Sequence, residues 1–179
     1  MVLLFKSWPV LNTMATYGIL WTASDISQEL FISKKDHVNW SKTARIATTG
    51  TFVIAPIVYT WIHLAEWLLP GKALTTVMKK VIADQVFFAP IGISSFYLAT
   101  GVLEGRRDLT ELRTKFKKTY LTGMMFWPGI QMVNMRYIPQ PYKPIVTGCA
   151  SFVWTIFLCY MKEPDVQKEE MATPLLQKD

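Results

Sequence analysis

Four long stretches of this 179-residue chain carry almost no charge, and their lengths constrain the fold more than any other feature. A helix that crosses the hydrocarbon core of a bilayer needs about 20 mostly apolar residues. Residues 8–31, 48–69, 81–103 and 144–161 approach or meet that need. The first is imperfect, because Asp25, Gln28 and Glu29 fall in its last turns. The second stops at Pro70-Gly71, a helix terminator, the third near Gly101 and Gly105, and the fourth is short but apolar. Inside lipid every backbone N–H and C=O must be paired within its own segment, which leaves helices for stretches of this length. The expectation is an all-α integral membrane bundle of about four transmembrane helices.

The chain before the last span is harder to place. Residues 108–118 are charged, with Leu109, Leu112 and Phe116 at helical spacing, which predicts an amphipathic surface helix. Residues 120–135 are apolar but interrupted by Trp127-Pro128, which predicts a kinked, partly buried helix too broken for a span of its own. Residues 137–144 hold three prolines and predict no helix. One transmembrane domain is expected over 1–162, followed by a polar, mobile tail over 163–179.

Hydrophobic residues make up 51% of the chain and the net charge is +6. The basic residues sit in short loops beside apolar stretches, where they act as topology determinants and headgroup contacts, and no nucleic-acid motif accompanies them. Seven Trp and seven Tyr suit an interfacial belt. Twelve Lys and Arg fall in the first and third loops, against seven in the termini and second loop. With four spans, this places both termini on one side, and a span over 120–135 would move the carboxyl terminus to the other. Cys149 and Cys159 are separated by about 15 Å of helix, beyond disulfide reach, and are expected to be buried small hydrophobes. No zinc spacing, catalytic triad or phosphate loop is present, so neither enzyme activity nor a metal or other cofactor is expected. Residues 1–7 resemble no cleaved leader.

Ionisable groups inside apolar stretches are expensive and therefore candidates for function. Asp25 lies one turn from Gln28 and Glu29. His63 and Glu66 share a face with Pro56 and Tyr59, and Asp84-Gln85 are read as opening the third helix. Asp25, Gln28, His63, Glu66, Asp84 and Gln85 are the candidates to line a hydrated path. The bland alternative is interhelical glue, worth roughly 0.6–2 kcal/mol per pair. Asp25 and Glu66 are each expected to stand without an obvious ion pair. Trp127, Gln131 and Asn134 recur on one helical face and must pack inward, since amides facing lipid are costly.

These segments resemble a known family. Trp127-Pro128, Gln131 and Asn134 match a W-P-x-x-Q-x-x-N signature that continues through Pro139 to Trp154. Asp84-Gln85 with Ala89-Pro90 matches a D-Q…A-P segment, and Pro56, Trp61, Glu66 and Pro70-Gly71 match the second-helix motif. Asp25 with Gln28 matches G-D-x-x-Q, with Ser24 in place of the glycine. Together the matches cover about residues 15–162. The chain is similar to the Mpv-seventeen / twenty-two-kilodalton peroxisomal membrane protein family, most of all its Mpv-seventeen-like members. The resemblance implies a four-span protein of the mitochondrial inner membrane or, alternatively, the peroxisomal membrane. It also implies channel-like metabolite permeation and a part in mitochondrial DNA maintenance and reactive-oxygen homeostasis. The lipid bilayer is the expected partner, with the path either inside the bundle or within a homo-oligomer. The alternative function is a non-transporting scaffold or assembly factor, and a continuous polar cavity touching Asp25, Glu66 and Asp84 would favour the channel.

Overall fold

The computed structural model describes residues 9–106 and 108–162. The leader reading of residues 1–7, the first residue of the first stretch and the tail at 163–179 lie outside them. The described residues form helices joined by short turns, without a strand. Helix α1 is Pro9–Ser27, running on through a widened π turn at Gln28–Ile32. Helices α2 and α3 are the long rods Trp40–Leu68 and Leu74–Leu103. Helix α4 is Thr110–Tyr137, and α5 is Lys143–Lys162 after a single 3₁₀ turn at Gln140–Tyr142. The rods α2 and α3, and Gln140–Lys162 around α5, are long and apolar enough to cross a membrane by length and composition. The protein is an all-α membrane bundle.

Both α2 and α3 contain a π segment, at Thr49–Ile54 and Asp84–Phe88, just ahead of Pro56 and Pro90. Proline supplies no N–H and its ring crowds the carbonyl four residues back. A wider turn relieves that crowding without ending the helix, so two helices that contain proline remain continuous.

The structure revises several expectations. Asp84 and Gln85 do not open α3. The helix begins at Leu74, ten residues earlier, so Asp84 lies about 15 Å inside it. Lys79 and Lys80 look like loop residues in the sequence, but Val77, Lys80 and Val81 are buried against the bundle, and Lys80 finds a carboxylate there. Residues 108–118 and 120–135 form one helix. Pro128 sits inside it without ending it, because neighbouring helices can satisfy a freed carbonyl. Finally, Cys159 is buried as expected but Cys149 is exposed, on the outer face of α5.

The fourth helix changes the topology. Asp25 near the end of α1 meets Lys42 at the start of α2, and Glu66 near the end of α2 meets Lys80 at the start of α3. Glu104 at the end of α3 meets Lys162 at the end of α5. Consecutive helices therefore run up and down along one axis five times. Pro9 at the start of α1 lies beside Pro144 at the start of α5, so the described chain begins and ends at opposite ends of the bundle. The expectation of both termini on one side rested on four passes, where the described helices make five; the termini themselves lie outside the described residues.

The core is aromatic and spans all five helices. Tyr17, Trp21, Phe96, Tyr97 and Trp154 are buried in it, and Trp154 packs on Phe126, Trp127 and Phe157. Large apolar side chains such as Ile19, Phe87, Val102 and Met125 project outward, as expected of a surface solvated by lipid. Helices α1 and α2 touch closely at Gly50, where an added Cβ would lie 2.7 Å from the Trp21 ring. Ser24, which stands where the family pattern has glycine, is fully buried. Its hydroxyl lies 2.9 Å from the carbonyl of Phe152 on α5, so close contact survives the substitution.

Candidate functional site

The bundle holds ionic clusters near both ends and a polar cluster between them. At the end where α1 meets α2, Asp25 and Glu29 are fully buried and share Lys42, at 2.9 and 3.3 Å. The Thr43 hydroxyl donates to Asp25 at 2.8 Å, and Lys42 also donates to Gln28. At the same end, Lys162 joins Glu104 and Glu111, Arg106 pairs with both acids, and Lys115 reaches Glu111 at 3.2 Å. Burial would raise the Glu111 carboxyl, but Lys162, Lys115 and Arg106 outweigh it and hold the group below the usual range. At the opposite end Glu66 accepts from both Lys80, at 2.8 Å, and Lys143, at 2.7 Å. Both lysines are buried. Asp25 and Glu66 are thus ion-paired, contrary to the sequence reading. The partners lie 17 and 14 or more residues away along the chain, where helical periodicity carries no signal.

Asp84 differs. It is 2% exposed and its partners are neutral. The Trp61 indole N–H donates to Oδ1 at 2.9 Å, the Gln131 amide to the same oxygen at 3.3 Å, and the Gln85 amide to Oδ2 at 3.2 Å. Asn134 extends the cluster by donating to Gln131 at 3.3 Å and to Thr147 on α5 at 2.8 Å. Among the described residues no lysine or arginine pairs with Asp84. Three pieces of the sequence motif, on α2, α3 and α4, thereby converge on one carboxylate.

Beside this cluster lies an interior cavity of about 60 Å³. Among the described residues Asp84 is its one ionisable wall residue, and Trp21, Phe88, Phe96, Trp127 and Trp154 supply aromatic wall. The cavity touches neither Asp25 nor Glu66, so it does not join the three acids. Trp127 faces the cavity, whereas Gln131 and Asn134 are buried in hydrogen bonds behind it. Gln85 is buried with its own carbonyl receiving the Tyr120 hydroxyl at 3.1 Å. His63 is exposed and turned back on Tyr59, its Nδ1 2.8 Å from that residue's carbonyl, beside a groove near the amino-terminal end of α1. Pro56 and Pro90 follow the π segments, Pro128 lies within α4, and Pro139 begins the turn into α5. The sequence reading missed Lys42, Lys80 and Lys143. Their positions beside apolar stretches were visible, but lysine beside a span ordinarily reaches outward to water.

The chain is 36% identical over 173 residues to the Mpv17-like protein of Xenopus laevis, a match covering 96% of this chain and 84% of that one. It belongs to the Mpv17 / PMP22 family. The family model matches residues 101–159, from the end of α3 through most of α5. The Mpv17-like protein of Bos taurus is 32% identical over 157 residues, 87% of this chain and 78% of that one. A mitochondrial inner membrane protein Mpv17 of Danio rerio is 26% identical over 150 residues, 81% and 85% respectively. No solved structure matches the chain.

Proposed function

We propose that this member of the family is a channel or pore-like permeation protein of an organellar membrane, not an enzyme, and that its path runs through the bundle past Asp84. The observation that carries the reading is the interior cavity with an unpaired carboxylate in its wall, flanked along the axis by ionic clusters. A carboxylate buried without a cation is costly to desolvate, a cost that its neutral hydrogen bonds from α2, α3 and α4 offset only in part. Here the end clusters close the path. Opening separates helix ends that the Lys42 and Glu66 contacts hold together, and brings Asp84 into contact with water. The Danio rerio relative's name supports the mitochondrial inner membrane as the location, and the family's PMP22 half the peroxisomal membrane as the alternative.

The scaffold reading draws on two separate observations: the cavity reaches Asp84 but neither Asp25 nor Glu66, and those two acids are bound up in ion pairs that knit helices. The two readings part in an accessibility experiment. In a background with Cys149 and Cys159 replaced by alanine, a cysteine is placed at Ser151, which lines the cavity, or at Val153, which faces outward. A charged, water-soluble thiosulfonate should block solute flux from proteoliposomes through Ser151→Cys and leave Val153→Cys unaffected. Absence of flux from well-folded protein, or block at neither position, would support the scaffold.

A further inference from the structure

The features around Asp84 match one chemical class of ligand. The carboxylate is buried and has three neutral donors but no cation. Two acceptors in the same hydrogen-bonded cluster, Gln85 Oε1 and Asn134 Oδ1, are buried and unpartnered. Both belong to side chains whose amide N–H groups are already engaged. Gln85 and Asn134 lie behind the cavity wall, not in it; what the wall itself lacks is a positive charge opposite Asp84. The cavity wall beyond the carboxylate is aromatic, including Trp21, Trp127 and Trp154, and indole faces attract cations strongly once water is removed.

A metal ion is a poor fit, because among the described residues no group of three or more His, Cys, Asp and Glu side chains is arranged to hold one. An anion is repelled by the carboxylate. A neutral apolar molecule leaves the charge unmatched. A small primary ammonium ion suits the wall: an N–H group donates to the Asp84 carboxylate, its charge balances that group, and its alkyl group and spread positive charge lie against the rings. The volume of about 60 Å³ suits an ion of that size with a water beside the Trp21 indole N–H, which also lacks a partner.

We propose that the Asp84 cavity is a binding site for small primary ammonium ions. As the solute class of a pathway, this rests on the permeation reading above; as a ligand of Asp84, it does not.

The test is isothermal titration of the full chain in lipid nanodiscs with methylammonium chloride, together with tryptophan fluorescence. Wild type and Asp36→Asn, which removes an exposed loop acid, should bind saturably and equally. Asp84→Asn should bind at least tenfold more weakly. Methylammonium should bind several-fold more tightly than tetramethylammonium, which lacks N–H donors, and methanol, its neutral counterpart, should not bind. Tryptophan emission should change on saturation. The ligand and fluorescence comparisons use wild type alone, so they decide the matter even if Asp84→Asn does not fold. Equal binding to wild type and Asp84→Asn, no preference for methylammonium over methanol, or binding that leaves the tryptophan emission unchanged would overturn the site. A protein that conducts but does not bind methylammonium defeats the ammonium site alone. One that binds but does not conduct defeats the permeation reading alone.

Discussion

Neutralising Glu66 is the sharpest perturbation of the fold. Its Oε2 receives Lys80 at 2.8 Å and Lys143 at 2.7 Å, and both lysines are nearly inaccessible to solvent. Removing one partner of a buried pair typically costs about 3–5 kcal/mol, because the other charge stays buried without compensation. Glu66 itself retains 30% of its side-chain exposure, so water moderates the loss, and about 3 kcal/mol is the reasonable expectation for Glu66→Gln. Each kcal/mol lowers the melting temperature of a domain this size by about 2–4 °C, which gives a fall of roughly 6–12 °C. Thermal unfolding followed by tryptophan fluorescence in mild detergent measures it. The two buried lysines also fix the sign of a compensating change. Glu66→Gln combined with Lys80→Met and Lys143→Met removes the stranded charges and should recover most of the lost stability, since a buried ion pair is often no better than apolar packing. A melting temperature for Glu66→Gln within 2 °C of wild type, or a triple variant less stable than the single one, would refute the reasoning.

Other consequences follow from packing and charge. Gly50→Ala should destabilise the bundle by about 1–3 kcal/mol, because the added methyl meets the Trp21 ring at 2.7 Å; Gly129→Ala meets nothing within 4 Å and serves as the thermal-melt control. Ser24→Ala removes a hydroxyl bonded across to Phe152 and should cost about 0.6 kcal/mol, the average for interhelical hydrogen bonds in a membrane protein, measured by the same melt. Glu111 is ionised below the ordinary glutamate value of 4.5 when folded. Its contribution is therefore present above that value and is lost as the pH falls through the lower folded value. A melting curve taken against pH should show an acid-side loss that is smaller in Glu111→Gln.

The sequence made the helices legible but not the way they meet. Apolar length identified the membrane bundle because lipid allows little else, and the inward face of Trp127, Gln131 and Asn134 followed from the cost of exposing amides there. The start of α3 was misplaced because Lys80 reads as a loop residue until Glu66 is seen against it. The break expected within α4 rested on Pro128 and on the change from charged to apolar residues. Neither stops a helix whose other side packs on α3 and α5. Asp84 stood out in the sequence as an intramembrane acid, but so did Asp25 and Glu66. Only the partners contributed by other helices distinguish the unpaired acid from the paired ones.

If Asp84 lies on a permeation path, the reversal potential of purified protein in planar bilayers under a potassium chloride gradient depends on its charge. Wild type should be cation-selective, because Asp84 in the cavity wall is acidic and buried charge is less screened than the basic loops. Asp84→Asn should move the reversal potential toward anion selectivity, and by more than neutralising any two of Arg113, Lys117 and Lys118. A conducting Asp84→Asn protein with the wild-type reversal potential would contradict the account.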